Sequence, residues 1–242
     1  MELKILHIYH DVLNMYGDRG NILCMEKRLQ WRGIDVVTAG CGLGEKVNAA
    51  DYDIFMIGGS HDFDTDSIRS DLAEHKTKEI IAAIEDGKTF LAVDGGYQML
   101  GHYFETPEGE KHEYVGALDL YTVGGKTRNT GNYIFTFDEI PGLQVVGFEN
   151  HAAKTYLGEG VKPMGTVVTG FGNNGSDGTE GARYKNVFAS YGHGSLLPKN
   201  PKLCDFILAS ALERKYGKAE LEPLDDSLEN AAHAYMINRL AK

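Results

Sequence analysis

Short apolar runs alternate with amphipathic, helix-length stretches through the first part of the chain, and few architectures accept that order. Residues 3–9 (LKILHIY), 34–38 (IDVVT), 52–59 (YDIFMIGG) and 89–93 (TFLAV) read as buried strands. Between them Ile22, Leu23, Met25, Leu29 and Trp31 fall near helical spacing, with Gly33 as a stop, and Ile80, Ile81 and Ile84 share one face of a charged stretch over 67–87. Near-continuously apolar strands separated by helices make a parallel sheet covered on both faces. Beyond Tyr103 the segments YVGALDLYTV, NYIFTF, LQVVGFEN and GTVVTGFGNN are short, β-rich and separated by Gly, Asn and Pro, so an antiparallel or mixed region follows. YKNVFASYGHG reads as a further strand ending at the glycine-flanked His193. Helices are expected over 201–217, with Pro near its start and Gly at its stop, and over 225–240. The expectation is one α/β domain spanning 1–242, flavodoxin-like in its first half, with a mixed, β-rich second half.

Charge narrows the partners. A formal net charge of −11 argues against nucleic acid or an anionic membrane, since both select clustered Lys and Arg. No apolar run approaches the ~18 residues of a membrane span. The opening MELKILHIYHDV lacks the basic and long apolar regions of a secretory leader, so a cytoplasmic protein is expected. Cys24, Cys41 and Cys204 have no CxxC spacing and suggest neither a zinc ribbon nor a disulfide framework.

The stretch FLAVDGGYQMLG, residues 90–101, runs from an apolar strand through a glycine turn into a helix. A residue at such a turn sits at the C-terminal edge of the sheet, where open α/β sheets bind ligands. A sharp strand-to-helix elbow needs small neighbours, and Ala92, Gly95 and Gly96 supply them around Asp94. Two readings of Asp94 follow. It is a helix N-cap, or it occupies a reactive position beside a Gly95 N–H able to stabilise an oxyanion.

LAVDGGYQMLG resembles the nucleophile elbow of class I glutamine amidotransferases, with Asp94 where the family carries Cys. HDVLNMYGDRGNIL (10–23), YDIFMIGGSHDFD (52–64), GFENH (147–151) and YKNVFASYGHGSLLPKNP (184–201) are similar, in the same order, to the CobB/CobQ-like glutaminase subunits of lipid II isoglutaminyl synthases, the GatD type. The resemblance implies a glutaminase that passes ammonia to a Mur-ligase-like synthetase subunit in a heterodimer. That partner binds ATP and lipid II and amidates D-glutamate of the peptidoglycan stem peptide; no cofactor is implied for the glutaminase itself. The resemblance puts the nucleophile at Asp94, the general base at His193, the oxyanion hole at Gly59 and Gly95, and glutamine recognition at Arg128 and Gln98.

Amide hydrolysis by this route needs a thiolate to attack and a His to protonate the leaving ammonia. A carboxylate would have to expel ammonia while forming an anhydride, so the chain as written is expected to be a poor glutaminase or none. Asp94 then marks a natural inactive homologue, an inactivating substitution, or a stand-in for a cysteine sulfinic acid. His193 is followed by Gly194 and Ser195 rather than the x-Glu of the commoner class I enzymes, a departure that the resembling family shares, so its orienting carboxylate is expected from the partner. Two other functions compete: a catalytically silent scaffold for such a ligase, and a CobQ-like amidotransferase of cobalamin-type synthesis. The second is weakened by the absence of a fused synthetase domain and by NMYGDRGN.

Other clusters have plainer readings beside sharper ones. His10, Asp11, His61, Asp62 and Asp64 follow apolar strands and could gather around a divalent metal, or simply cap loops. YGDRGN (16–21) could cradle an anion before a helix but lacks a P-loop lysine; the resemblance makes it a structural or partner-facing signature. Glu149 and His151 form a further acid/base pair, and the last amphipathic segment either docks or binds a partner.

Overall fold

Strand β1 (Glu2–Ile8) takes a parallel partner on each edge and so lies inside the main sheet. The computed structural model describes residues 1–59, 65–218 and 220–240. Helix α1 (Arg19–Gln30) leads to β2 (Asp35–Cys41) on one side of β1, and β3 (Ile54–Ile57) lies on the other. After α2 (Thr65–Asp71) and α3 (Thr77–Glu85), β4 (Thr89–Val93) pairs parallel with β3, and the short helix α4 (Gly95–Met99) follows at once. Every residue of β3 and β4 is buried, as strands covered on both faces require. The single helix expected over 67–87 is divided. A π-helical turn, Leu72–Lys76, separates α2 from α3 and lets Lys76 turn inward to the Asp71 carboxylate and, at 2.7 Å, the Glu45 carbonyl.

The β-rich region contains β5 (Tyr103–Glu105), β6 (Lys111–Glu113), β7 (Leu120–Val123), β8 (Asn129–Thr136), β9 (Gln144–His151), β10 (Lys154–Leu157), β11 (Gly165–Thr169) and β12 (Thr179–Glu180). They form two small sheets, ordered β10-β7-β5-β6 and β12-β11-β8-β9. All their pairings are antiparallel except β5 with β7.

The chain then returns to the main sheet. The strand expected over 184–194 is instead a hairpin of β13 (Ala182–Tyr184) and β14 (Val187–Ser190), turned through Lys185 at φ +48°. β14 pairs parallel with β4, giving the order β13-β14-β4-β3-β1-β2. Without the β13 edge this is the doubly wound flavodoxin-like order. Leu6, Ile8, Phe55, Ile57 and Phe90 belong to one core with Ile80 and Ile84 of α3. Leu3, Ile5, Ile54, Met56 and Leu91 belong to a second with residues of α1 and of α5 (Pro201–Tyr216). The last helix, α6 (Ser227–Leu240), has no buried residue. Among the described residues, no helix is long and apolar enough to cross a membrane.

Register places the site. Ile8 lies beside Ile57, Ile57 beside Ala92, and Val93 beside Ser190. The C-terminal ends of β1, β3, β4 and β14 are therefore level, and the segments leaving them gather at one sheet edge.

Candidate active site

At that edge the chain leaves β4 through Asp94 with φ +50° and ψ −110°. Its side chain makes no capping hydrogen bond, so the N-cap reading gives way to the elbow reading. A non-glycine residue in such a region costs on the order of 1–3 kcal/mol and persists only where its surroundings hold it. Here the Asp94 N–H donates to the Ser190 carbonyl at 2.9 Å and its carbonyl accepts from Gln98 N–H at 3.0 Å. Gly96 permits the tight return: its N–H donates to Gly58 O at 3.1 Å, and a Cβ there would stand 2.4 Å from Ile57 O.

His193 follows β14 and is anchored by its N–H, which donates to Phe148 O of β9 at 2.7 Å. Its imidazole is fully buried. Nε2 lies 3.5 Å from Asp94 Oδ2, a charge contact rather than a well-formed hydrogen bond. Nδ1 faces Asp18 Oδ2 at 4.0 Å. Asp18, also fully buried, accepts the Gly59 N–H at 2.7 Å. Burial pushes the Asp18 carboxyl up to about 6 despite the opposing pull of His193 and the Gly59 amide. Burial works against a charged His193, but contact with Asp94 and the charges of Asp94 and Asp18 outweigh it and hold the imidazole above its ordinary value.

Where a carboxylate from the partner is expected, Asp18 of this chain also faces the imidazole, at a separation that makes no hydrogen bond to the ring. It lies in YGDRGN, whose loop brackets the histidine segment. Ser195 Oγ donates to Gly17 O at 2.6 Å, Leu197 N–H donates to Asn21 Oδ1 at 2.8 Å, and a Cβ on Gly20 would stand 2.1 Å from Ser195 Oγ. Tyr16 packs edge-on against the His193 ring, centroids 5.0 Å apart. The available signal was positional, an Asp flanked by small and polar residues between the first strand and the first helix, at the same sheet edge as the elbow.

A cavity of about 410 Å³ opens from this point, lined by Asp94, Gly95, Gln98, Arg128, Asn150 and His151. Phe104 and Tyr114 add aromatic surface to its lining. Gln98 Nε2 donates to Tyr191 OH at 3.3 Å, and Arg128 Nη1 donates to Asn150 Oδ1 at 2.8 Å. The structure thus brings Asp94, Gly95, Gln98 and Arg128 to one cavity, with His193 behind Asp94.

Gly59 sits where the acid–base groups meet. A Cβ there would lie 2.9 Å from His193 Cε1 and 3.2 Å from both Asp18 Oδ2 and Asp94 Oδ2. Its N–H, expected to serve an oxyanion, is engaged by Asp18, so the role assigned to it needs that bond to open. Glu149 and His151 are turned toward the protein. Glu149 accepts the Phe171 and Gly172 N–H groups at 2.8 and 3.0 Å, while His151 Nδ1 meets Ala153 O at 2.7 Å and its ring stacks on Tyr191. Of the two, His151 lines the cavity. Among the described residues no three His, Cys, Asp or Glu side chains converge as metal ligands; His61, Asp62 and Asp64 lie outside those residues.

Carboxylate, imidazole and carboxylate in sequence can store an ion pair and move a proton. The same set lacks a sulfur nucleophile for amide cleavage.

The model of the CobB/CobQ-like glutamine amidotransferase domain matches residues 4–201. The GatD subunit of the glutamine-hydrolysing lipid II isoglutaminyl synthase of Staphylococcus aureus is 39% identical over 238 residues, covering 98% of this chain and 96% of that protein. Its counterpart from Streptococcus pneumoniae is 36% identical, covering 90% and 83%. A probable cobyric acid synthase of Methanothermobacter thermautotrophicus is 33% identical over 79% of this chain, which spans only 39% of that longer protein. Among solved structures, a Thermotoga maritima glutamine amidotransferase aligns over 99% of this chain and 98% of its own with a TM-score of 0.55 at 15% identity. The glutaminase domain of Trypanosoma brucei CTPS, solved with acivicin, aligns over 88% and 95% with a TM-score of 0.54 at 11% identity.

Proposed function

The chain belongs to the CobB/CobQ-like glutamine amidotransferase family, and on that footing we propose that it is the glutamine-binding subunit of a lipid II isoglutaminyl synthase. Its partner is a Mur-ligase-like synthetase that activates the D-glutamate carboxylate of the stem peptide with ATP, and that need for ATP assigns the heterodimer to the cytoplasm. In this role Arg128 holds the glutamine α-carboxylate, Gln98 borders its side chain, and the Gly95 N–H faces the carboxamide oxygen. Position 94 delivers the nucleophile and His193 the proton, with Asp18 orienting the imidazole.

With Asp at position 94 the subunit binds glutamine and releases no ammonia. The observation that carries this reading is the 3.5 Å approach of His193 to Asp94, which lines one cavity with Gln98 and Arg128. The carboxylate–imidazolium pair reproduces the charges of a thiolate–imidazolium pair without its covalent chemistry. The test is ammonia release from glutamine by the chain together with its ligase partner, with Asp94 intact and with Asp94→Cys. Gain of release in the Cys variant supports the reading. Turnover with Asp94 intact that persists in Asp94→Ala overturns it.

A further inference from the structure

Four side chains outside the elbow form a continuous link between the two ends of the site. Arg128 Nη1 donates to Asn150 Oδ1 at 2.8 Å, and Thr130 Oγ1 donates to the same oxygen at 3.0 Å. With its oxygen fixed by two donors, the Asn150 amide presents Nδ2 outward, where it donates to Tyr16 OH. The Tyr16 ring packs edge-on against His193, centroids 5.0 Å apart and planes at 63°, and leans on Phe148 at 6.1 Å. Phe148 and Asn150 are alternate residues of β9, and the Phe148 carbonyl also holds the His193 N–H. One strand therefore carries both the backbone anchor of the histidine and the amide that tethers its aromatic cover. Tyr16 stands at φ +54°, so its conformation is one that surrounding contacts must hold.

We propose that Asn150 is a positioning residue that couples occupancy of Arg128 to the cover on His193. A ligand α-carboxylate competes with Asn150 Oδ1 for the Arg128 guanidinium, because a charged acceptor binds that donor more strongly than a neutral amide does. Asn150 then loses one of the two donors that orient it, the Nδ2 bond to Tyr16 weakens, and the ring loosens from the imidazole. The site in this way reads the amino-acid end of its ligand before the histidine is uncovered. An amide lacking the α-carboxylate leaves the cover in place. The ligand in this inference rests on the glutamine reading above; the tether itself does not.

The experiment follows the His193 Cε1 proton by NMR in the full chain, since loss of an edge-on aromatic neighbour displaces that resonance. Without any ligand, Asn150→Leu and Tyr16→Phe, which each remove the tether while keeping most of the volume, should both displace it from the parent position. Saturating L-glutamine should displace it in the parent chain, and 4-aminobutanamide, glutamine without its α-carboxylate, should not. In Asn150→Leu, glutamine should still bind by calorimetry yet add no further displacement. An unchanged ligand-free resonance in both variants overturns the tether. Glutamine that binds the parent without moving the resonance, or moves it equally in Asn150→Leu, overturns the coupling. Failure of glutamine to bind the parent at all would overturn the ligand reading, while the ligand-free arms still decide the tether.

Discussion

Asp18 Oδ2 lies 4.0 Å from His193 Nδ1, and both side chains are wholly buried. A buried carboxylate and a buried imidazole that face each other share a charge that neither could hold alone at that depth. The pair joins segments far apart in the chain. Its contact is framed by the Ser195–Gly17 and Leu197–Asn21 hydrogen bonds, so the loop after the first strand and the loop after the last parallel strand behave as one piece.

The missing thiol gives the first prediction. Asp94→Cys restores a nucleophile at an elbow whose backbone already has the required φ and ψ, and glutamine-dependent ammonia release should appear in the presence of the ligase partner. Coupled detection of glutamate and ammonia checks it; an inert Cys variant that still binds glutamine would show that the elbow is not the only obstacle.

Arg128 provides the second. Its planar donor fork suits an α-carboxylate, so Arg128→Ala should weaken glutamine binding by about 1.5–3 kcal/mol, the scale of a hydrogen bond to a charged group. Isothermal calorimetry measures it, and an unchanged affinity would remove Arg128 from the recognition set.

The imidazole provides the third. Because its proton affinity is raised in the fold, His193 should titrate above about 6.5, the unperturbed value. The protonated ring then contributes stability that is complete below that value and is lost as pH rises through the folded value. Asp94→Asn removes the contact that favours the cation and should lower the titration midpoint; identical curves would mean that the two groups do not interact.

Asp18 titrates in the opposite sense from an ordinary paired carboxylate. Burial raises it to about 6 from 3.8, so across that window the folded chain binds the extra proton and stability falls as pH rises, by at most about 1.4 kcal/mol per pH unit for one proton. Asp18→Asn should flatten the slope of urea stability against pH between about 4 and 6, and should also lower the His193 midpoint. A slope unaffected by the substitution would assign the pH dependence elsewhere.

Gly96 tests the elbow by packing. A methyl group there meets the Ile57 carbonyl at 2.4 Å, and backbone cannot yield as a flexible side chain can. Gly96→Ala should cost about 1–3 kcal/mol of unfolding free energy, read by denaturant titration. A neutral result would mean that β3 and α4 can separate without loss.

What the sequence disclosed follows from how local each signal is. The elbow was legible because small residues and an apolar strand are adjacent to Asp94, and the parallel sheet because its strands are apolar along their whole length. The hairpin of β13 and β14 was hidden, since its turn rests on Lys185 rather than a glycine. The break between α2 and α3 was hidden as well, because it depends on where the Lys76 ammonium finds acceptors. Asp18 is hard to read from the sequence for a different reason. Its role exists only through contacts distant in the chain, with Gly59 and with the far more remote His193, which local spacing does not report. Arg128 and Gln98 were carried by the resemblance, and the fold supplies the cavity that unites them.

The position of β14 beside β4 has a consequence for synthesis of the chain. During translation β4 emerges, pairs with β3, and then presents an open edge while the whole β-rich region is still being made. Only when residues 187–190 leave the ribosome can that edge close, and only then can His193 meet Asp94. Pairing of such distant segments is slow and leaves apolar strand edges exposed to other nascent chains. The subunit is therefore most vulnerable to misassembly late in its synthesis, when most of it is already folded, and a pause placed shortly before β14 would lengthen that exposure more than a pause anywhere in the first half.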